Sequence, residues 1–213
     1  MKIETLCMNP FVAVVDDVFD AELANDIIAV GKPLMQRARV IDEEGKRVIH
    51  EMRTGSNEKL SQWEDPGLTR ITTMLSGLVR MPPENSEPCS LLHYAGAQEF
   101  KPHNDALRHD ASGVQQLARG GQRLFTTICY LNDLETGGET EFPSLRVLIR
   151  PKLGRVLIFG NTRPGTTEPH PHSIHAGRPV GNGEKWALTH WWRQLAYHVQ
   201  REYPAEQGDL RTV

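Results

Sequence analysis

The sequence contains few cysteines. Cys7, Cys89 and Cys129 are the only three in 213 residues, and they are widely spaced with no CxxC pair. An odd, sparse count of this kind excludes a disulfide framework and a zinc site built on cysteines. We expect small buried or partly buried thiols at all three positions, and a protein that works in the reducing cytoplasm.

The sequence also lacks a long hydrophobic run and an excess of positive charge. No segment reaches the ~18 consecutive apolar residues of a membrane helix, and the N-terminal "MKIETLCMNPFVAVVDDVFD" lacks the apolar stretch of a signal peptide. Lysine and arginine together number 24 against 27 acidic residues, which gives a formal net charge of −3. We therefore expect neither a membrane nor a nucleic acid as partner.

No internal repeat, low-complexity segment or linker divides the chain, and its length suits one domain over residues 1–213. Two helices are predicted in its first part. One begins after a capping Asp20 and ends at Gly31, and the other begins after a capping Asp65 and ends near Met81. Between them, "DEEG" separates two short β-like runs and predicts a hairpin.

Short strand-like runs dominate the rest of the chain, and glycine, proline or asparagine separates nearly all of them. Such a series predicts a sandwich or barrel of antiparallel strands. The polar segment "RHDASGVQQLARGG" is long for a hairpin loop and is predicted to be a mobile lid. The predicted strands are "FVAVVDDVF" and, from residue 89 on, "CSLLHYA", "QEFKPHND", "GQRLFTTICYLND", "GETEFPS", "RVLIRP", "GRVLIFGN", "SIHAGRPV" and "KWALTHWWRQLAYHV".

The segment "KPHNDAL" predicts a metal site. His103 stands two residues before Asp105, and in an extended strand residues i and i+2 point to the same face. An imidazole nitrogen and a carboxylate oxygen therefore converge. A third ligand is expected on another strand, where the candidates are His170, His172 and His175. Two histidines and one carboxylate are the ligands of non-haem iron oxygenases, although the same set can hold catalytic zinc.

Lys185 is the second signal. It begins the strand "KWALTHWWR", in which Lys185, Ala187, Thr189 and Trp191 share one face by alternation. A lysine at the mouth of a barrel, beside a metal, can form an ion pair with the distal carboxylate of 2-oxoglutarate. An ordinary surface lysine is the alternative.

Taken together, these stretches resemble the prolyl 4-hydroxylase branch of the Fe(II)- and 2-oxoglutarate-dependent dioxygenases. The resemblance runs from Asp16 to Arg193 in unbroken order. It implies an α+β, mainly β fold: a double-stranded β-helix (jelly-roll) core over residues 89–200, supported by the helices and hairpin of residues 1–88. The stretches that carry it are "RTGSNEKL", "MPPENSEP", "YAGAQEFKPHND", "GGQRLFTTICYLNDLETGGETEFP", "RPKLGRVLIF", "SIHAGRPV" and "GEKWALTHWWR".

The resemblance also assigns roles to residues near the metal. It implies that His103, Asp105 and His175 bind iron and that Lys185 binds the far carboxylate of 2-oxoglutarate. His175 is preferred to His172 because it stands in "HAGRPV" and precedes Lys185 by ten residues, as in the family.

Four further residues are implied to contact the cosubstrate. Tyr94 matches the tyrosine that hydrogen-bonds it, and Thr126 and Trp191 match positions that line its pocket. Tyr130 shares a face with Thr126 by alternation, and that face is either pocket or core. Core packing is the alternative for Tyr94 and Trp191.

The sequence departs from the family on the substrate side. Gly55 stands where a serine is usual, Ala106 where an aromatic residue is usual, and Ala97 where a glycine is usual. Arg53 is the best candidate for a substrate contact, because a guanidinium can donate to peptide carbonyls or to a free carboxylate. The alternative for Arg53 is a surface position in a hairpin.

The function expected from these residues is hydroxylation of an unactivated carbon with Fe(II), 2-oxoglutarate and dioxygen, with release of succinate and carbon dioxide and with ascorbate as reductant. Asp105 favours hydroxylation, since halogenases of the superfamily carry a small residue there. A prolyl residue of a peptide or protein is the first substrate hypothesis, and a free amino acid or other small metabolite is the second. A noncatalytic or zinc-binding β-barrel module is the third. The sequence leaves the oligomeric state open.

Overall fold

The computed structural model describes residues 1–41 and 46–197. Its strands pair antiparallel throughout. Fourteen strands are present in this part of the chain: β1 (Lys2–Met8), β2 (Phe11–Asp16), β3 (Gln36–Arg37), β4 (Val40–Ile41), β5 (Arg47–Val48), β6 (Ser56–Leu60), β7 (Cys89–Ala95), β8 (Phe100–His103), β9 (Arg123–Tyr130), β10 (Thr140–Phe142), β11 (Val147–Ile149), β12 (Val156–Gly160), β13 (His175–Gly177) and β14 (Glu184–Arg193).

Two main sheets form the body of the protein. The large sheet has eight strands in the order β1-β2-β12-β9-β14-β7-β6-β3, and the small sheet has four in the order β11-β10-β13-β8. Strands β4 and β5 pair separately, which agrees with the predicted hairpin, while its "DEEG" turn lies outside the described residues. The mainly β fold with N-terminal helices is thus as predicted.

Three α-helices accompany the sheets: α1 (Ala21–Gly31), α2 (Pro66–Val79) and α3 (Ala111–Ala118). Asp20 caps α1 by accepting a hydrogen bond from the backbone N–H of Leu23 at 3.0 Å. Asp65 caps α2 in the same way, from Leu68 at 2.9 Å. Both caps satisfy amide groups that a helix start leaves without partners. Among the described residues, no helix is long and apolar enough to cross a membrane.

Strand β14 divides the hydrophobic core into two parts, because its side chains alternate between the faces of the large sheet. Leu188 and Trp192 belong to the cluster that includes Leu68 and Ile71 of α2. Ala187, on the opposite face, belongs to the cluster between the sheets. The helices therefore cover one face of the large sheet, and the small sheet covers the other.

The structure corrects the sequence-based prediction at three places. β14 ends at Arg193, not near residue 199, because a β-bulge follows Trp192 and the next amides bond to the loop before β9; residues 198 and 199 lie outside the described residues. The segment "RHDASGVQQLARGG" contains α3. The edge strand β1 escaped prediction because most of its residues are exposed and no burial alternation marks it.

Candidate active site

The predicted metal ligands converge between the two sheets. Neighbouring strands β8 and β13 pair His103 with His175, and Asp105 follows β8 by two residues. The Nε2 atoms of His103 and His175 each lie 3.7 Å from a carboxylate oxygen of Asp105. One ligand atom from each of the three residues lies within 4.8 Å of the others. Such spacing suits three ligands that share one ion.

Backbone carbonyls fix the orientation of both imidazoles. The Nδ1 atom of His103 lies 2.9 Å from the Lys101 carbonyl oxygen, and that of His175 lies 3.0 Å from the Ser173 carbonyl oxygen. A carbonyl only accepts, so each Nδ1 donates and each Nε2 keeps its lone pair for a metal. Burial, together with the nearby His175, lowers the pKa of His103 to about 3. A neutral ring of this kind is ready to coordinate.

A hydrogen bond from Thr126 holds the Asp105 carboxylate, and Asn161 in turn holds Thr126. Thr126 Oγ1 donates to Asp105 Oδ2 at 2.8 Å and accepts from Asn161 Nδ2 at 2.9 Å. Burial acts to raise the pKa of Asp105, but His175 and His103, with help from the Thr126 hydrogen bond, bring it to about 2. The carboxylate is therefore ionised and aimed at the histidines. The Thr126 hydroxyl thus contacts a triad residue, and its predicted role in lining the cosubstrate pocket stays a prediction.

Lys185 is buried in the pocket beside the triad. It is 5 % exposed, and its Nζ donates to the Gly138 carbonyl at 2.6 Å. No carboxylate of the described residues lies within 4 Å of this ammonium, although Glu139 acts on it from further away. Burial lowers the pKa of Lys185 to about 8. A buried cation without a counter-charge costs free energy that a bound carboxylate would offset. The surface-lysine alternative is wrong.

The face of β14 that begins with Lys185 lines the pocket as predicted, through Ala187, Thr189 and Trp191. Two polar atoms on this face, Thr189 Oγ1 and Trp191 Nε1, are buried and have no hydrogen-bond partner among the described residues. Buried polar groups are usually paired. These two atoms are therefore positioned to bond to a ligand.

Tyr130 lies behind the pocket. Its ring is fully buried and 5.5 Å from Lys185 Nζ, and its hydroxyl donates to Thr140 Oγ1 at 2.7 Å. Thr140 itself lines the pocket. The predicted role of Tyr130 as a direct cosubstrate contact stays a prediction, because Thr140 lies between its hydroxyl and the pocket.

Arg53 and Tyr94 both line the pocket, and Arg53 forms an isolated bridge with Phe100 of β8. Arg53 is 8 % exposed, so the surface alternative for this residue is wrong. Its Nε donates to the Tyr94 hydroxyl at 3.3 Å, and its guanidinium lies 4.8 Å from the ring centroid of Phe100. Gly55 is a glycine for a steric reason: a Cβ there would lie 2.4 Å from Tyr94 Cδ1.

An ion cluster lies beside Trp191, at the end of the pocket that we call the outer end, and Arg123 NH1 also donates to the backbone carbonyl of Asp105 at 3.3 Å. Arg123 binds Glu87 through two hydrogen bonds of 2.5 and 2.8 Å, and Arg193 adds a third at 2.8 Å. Lys59 Nζ lies 3.9 Å from the same carboxylate. Burial acts to raise the pKa of Glu87, but Arg123 and the other two cations bring it to about 2. Arg123 and Lys59 also lie 4.2 and 3.9 Å from the ring centroid of Trp191.

Several residues of this site were missed from the sequence. Asn161, Thr140 and Gly138 gave no signal because a single asparagine, threonine or glycine is common everywhere. Glu87 and Arg123 lie in stretches that carry the family resemblance, "MPPENSEP" and "GGQRLFTTICYLNDLETGGETEFP", but no local pattern gave either residue a role.

The other two histidine candidates lie apart from the triad. His170 Nε2 is 3.0 Å from Asn9 Oδ1, and its Nδ1 accepts a hydrogen bond from the backbone N–H of His172. His172 is exposed. Among the described residues, the grouping that could hold a metal contains His175 and neither of these two.

Comparison with known proteins identifies the family. Residues 89–193 match the 2OG-Fe(II) oxygenase superfamily. Prolyl 4-hydroxylase 1 of Arabidopsis thaliana is 32 % identical over 92 % of this chain and 73 % of its own length. Prolyl 4-hydroxylase 5 of the same plant is 30 % identical with the same coverage. The chain belongs to the prolyl 4-hydroxylase-like 2OG-Fe(II) oxygenases. It is a 2-oxoglutarate-dependent dioxygenase, and the family typically uses Fe(II).

A solved structure agrees in fold. The viral collagen prolyl hydroxylase of Paramecium bursaria Chlorella virus-1, in its 2-oxoglutarate complex, matches with a TM-score of 0.69 at 23 % identity. The match covers 89 % of this chain and 99 % of the viral one. The double-stranded β-helix core is therefore confirmed. The family match and the plant relatives, together with the triad, contradict the alternative of a noncatalytic or zinc-binding module.

Proposed function

We propose that this dioxygenase hydroxylates a prolyl residue in a peptide or protein. The observation that carries the proposal is the triad of His103, Asp105 and His175. Beside it lies the buried Lys185, which has no carboxylate within 4 Å among the described residues. The plant relatives are named prolyl 4-hydroxylases, and the viral relative is named a collagen prolyl hydroxylase. These names support a prolyl substrate for the present chain as well.

Iron is the metal that fits the triad. Two neutral imidazoles and one ionised carboxylate match the ligands of Fe(II) oxygenases. The two histidines present Nε2, because their Nδ1 atoms donate to carbonyls. Thr126 would hold Asp105 in one orientation when the ion binds, since partners of this kind tune metal ligands.

2-Oxoglutarate fits the pocket between the triad and β14. Lys185 would pair with its distal carboxylate, and the partnerless hydroxyl of Thr189 would donate to the same group. Tyr94 and Trp191 would border the molecule from two strands of the large sheet. When bound, the iron, 2-oxoglutarate and dioxygen together supply the oxidation of a C–H bond, with release of succinate and carbon dioxide.

The remaining protein groups position the substrate and keep water away. Phe100 stacks on His103 at 3.5 Å between ring centroids, and Phe159 lies edge-on to His175 at 4.6 Å. Apolar rings on both histidines lower the local polarity and restrict access to the metal. Arg53 lines the pocket beside Phe100, where it would meet an incoming substrate.

The proposal extends to the cellular setting. Cys7, Cys89 and Cys129 are free thiols, and burial raises the pKa of Cys89 to about 12. Unpaired thiols agree with a reducing cytoplasm. Ascorbate is the proposed reductant, because it would return iron to the ferrous state after turnover without substrate.

Succinate release tests the function. The protein is supplied with Fe(II), ascorbate and 2-oxoglutarate and is screened against proline-containing peptides and free amino acids, and products are checked by mass spectrometry for one added oxygen. We expect substrate-dependent succinate release with hydroxylated proline in a peptide. Release with a free amino acid alone would reassign the substrate. Absence of release with every compound would contradict the proposal.

A further inference from the structure

The guanidinium of Arg53 has unused hydrogen-bonding capacity inside the pocket. Its Nε bonds to the Tyr94 hydroxyl, and its backbone carbonyl accepts from Arg37 NH1 at 2.6 Å. In the described part of the chain, neither terminal amino group of Arg53 has a hydrogen-bond partner, and no carboxylate forms an ion pair with it. Arg53 is 8 % exposed and lines the pocket, so the pocket is where a partner for these amino groups would bind. A guanidinium held at one nitrogen presents its other two as a fork.

The charged side chains near Arg53 include more cations than anions. Lys59, Arg123 and Arg193 share the single carboxylate of Glu87. Lys59 is the exposed member of this group, and its Nζ also donates to the Pro88 carbonyl at 3.2 Å. The outer end of the pocket is therefore short of negative charge.

Strand register places these cations on the pocket side. Lys59 of β6 pairs with Ser90 of β7, and Ser90 pairs with Thr189 of β14. Directly paired residues share a face of the sheet, and Thr189 lines the pocket. Lys59 therefore projects from the pocket face, beside Trp191.

Lys185 and Arg53 lie on different sides of Tyr94. Lys185 Nζ is 6.0 Å from the centroid of the Tyr94 ring, whereas Arg53 Nε bonds to the hydroxyl at the end of that ring. Two cations at separate positions can bind two different anions. The distal carboxylate of 2-oxoglutarate would bind Lys185, which leaves Arg53 without an anionic partner.

We infer that Arg53 forms a subsite for a carboxylate of the substrate, next to the carbon that is oxidised. The inference rests on the proposed dioxygenase function and narrows its substrate class. A carboxylate would form a bidentate pair with the free fork of Arg53 and reduce the excess charge near Lys59. The group could be the C-terminal carboxylate of a chain ending in proline, or the side chain of an acidic residue beside an internal proline.

Matched peptide pairs test the subsite by binding. The first pair is acetyl-Ala-Ala-Pro as free acid and as amide. The second is the acetylated amide of Ala-Pro-Asp-Ala and its Asn counterpart. Dissociation constants are measured by calorimetry without oxygen, with Fe(II) and 2-oxoglutarate present. We expect the acidic member of one pair to bind about 10- to 100-fold more tightly than its neutral partner, as for a charge-assisted pair. The pair that discriminates identifies the source of the carboxylate.

Substitutions at Arg53 assign the effect to this residue. Arg53→Gln should reduce the acid preference to less than about threefold, and Arg53→Lys should keep part of it. Arg70→Gln, at an exposed arginine of α2, is the matched control and should keep all of it. The affinity for 2-oxoglutarate should stay within about twofold in all three variants. Circular dichroism verifies folding.

The outcomes separate the subsite from the proposed function. Equal binding of acid and neutral peptides by the unmodified protein overturns the subsite and needs no variant. The subsite is also overturned if none of the peptides binds. It is overturned again if Arg53→Gln loses affinity for 2-oxoglutarate and keeps its affinity for the peptide. A carboxylate preference in binding without succinate release would support the subsite and contradict hydroxylation. Equally fast succinate release with the acid and the amide peptide would support hydroxylation and contradict the subsite.

Discussion

The triad end of the pocket and its outer end are stabilised in different ways. At the triad, His103 and His175 use their second nitrogens on carbonyls, and Asp105 accepts from Thr126. At the outer end, Arg53 leaves donors without partners in the described structure, as does Trp191. A satisfied network fixes geometry before any ligand arrives. An unsatisfied set is completed only when a ligand supplies the missing atoms.

This difference predicts two kinds of mutational effect. A change at the triad should remove the metal and with it all turnover. A change at the outer end should alter ligand affinity or stability while the metal still binds.

Removing one triad residue should abolish activity. For His175→Ala we expect metal affinity to fall about 10- to 100-fold or more and succinate release to be lost, because only two ligands remain. Metal binding is measured by titration, and activity by succinate release. His172→Ala is the matched control, since His172 is exposed and lies outside the grouping. An inactive His172→Ala beside an active His175→Ala would reverse the assignment.

Replacing Lys185 should separate cosubstrate binding from metal binding. In Lys185→Met we expect the concentration of 2-oxoglutarate required for half-maximal rate to rise about 10- to 100-fold, since a charge-assisted bond is lost. The metal affinity should be unchanged. The ligand-free variant should also melt at a higher temperature, because a buried ammonium without a carboxylate partner is removed. Lys185→Arg should rescue little, because the planar fork does not fit the space of an ammonium. Unchanged affinity for 2-oxoglutarate would falsify the role of Lys185.

The elements that the sequence predicted are those whose geometry is local. The spacing of His103 and Asp105, and the alternation from Lys185 to Trp191, follow from the period of an extended strand. The caps Asp20 and Asp65 follow from the needs of a helix start. Each of these rests on residues within one segment, so the sequence alone was sufficient.

The features that escaped prediction depend on distant contacts. Glu87 meets Arg193 across 106 positions of the chain, and no local pattern marks such a pair. Helix α3 looked like a loop because its sequence is polar and contains Gly113. Arg193 donates to the carbonyls of Gln116, Arg119 and Gly121, at and just after the C-terminal end of α3. This tertiary contact stabilises a short helix that would be marginal alone. The predicted boundary at residue 89 and the lid role of the segment "RHDASGVQQLARGG" stay predictions.

Removing the Glu87 carboxylate from the ion cluster should lower the free energy of unfolding strongly and the metal affinity only weakly. For Glu87→Gln we expect a loss of about 3–5 kcal/mol in the free energy of unfolding, because Arg123 and Arg193 would remain buried without a counter-charge. Urea unfolding at pH 7 measures it. Glu141→Gln removes an exposed partner of Arg178 and should cost less than about 1 kcal/mol. Similar losses in both variants would contradict the importance of the cluster.

The same carboxylate predicts how acid destabilises the protein. The pKa of Glu87 is about 2 in the folded state against an ordinary 4.5, so the folded state binds this proton less readily than the unfolded state. Its stabilising contribution is complete above pH 4.5 and is lost as the pH falls toward 2. Glu87→Gln should therefore flatten the pH dependence of unfolding in this window. A pH profile identical to that of the unmodified protein would show that other carboxylates dominate acid unfolding.

The smallest effect is expected at the turn that joins the two ends of the site. Gly96 and Ala97 connect β7, which carries Tyr94, to β8, which carries His103, and both have positive φ, 51° and 64°. Holding an alanine in this left-handed region destabilises the folded state by about 1–2 kcal/mol. A glycine avoids that strain, but the conformational entropy that it loses on folding costs about 0.4–1 kcal/mol more than for alanine. We expect Ala97→Gly to raise the free energy of unfolding by up to about 1 kcal/mol, measured by urea unfolding, and Gly96→Ala to lower it. Neither change removes a side chain of the pocket, so succinate release should be unaffected. A changed rate in Ala97→Gly would mean that the turn transmits strain to Tyr94 or His103, and that the two ends are coupled through it.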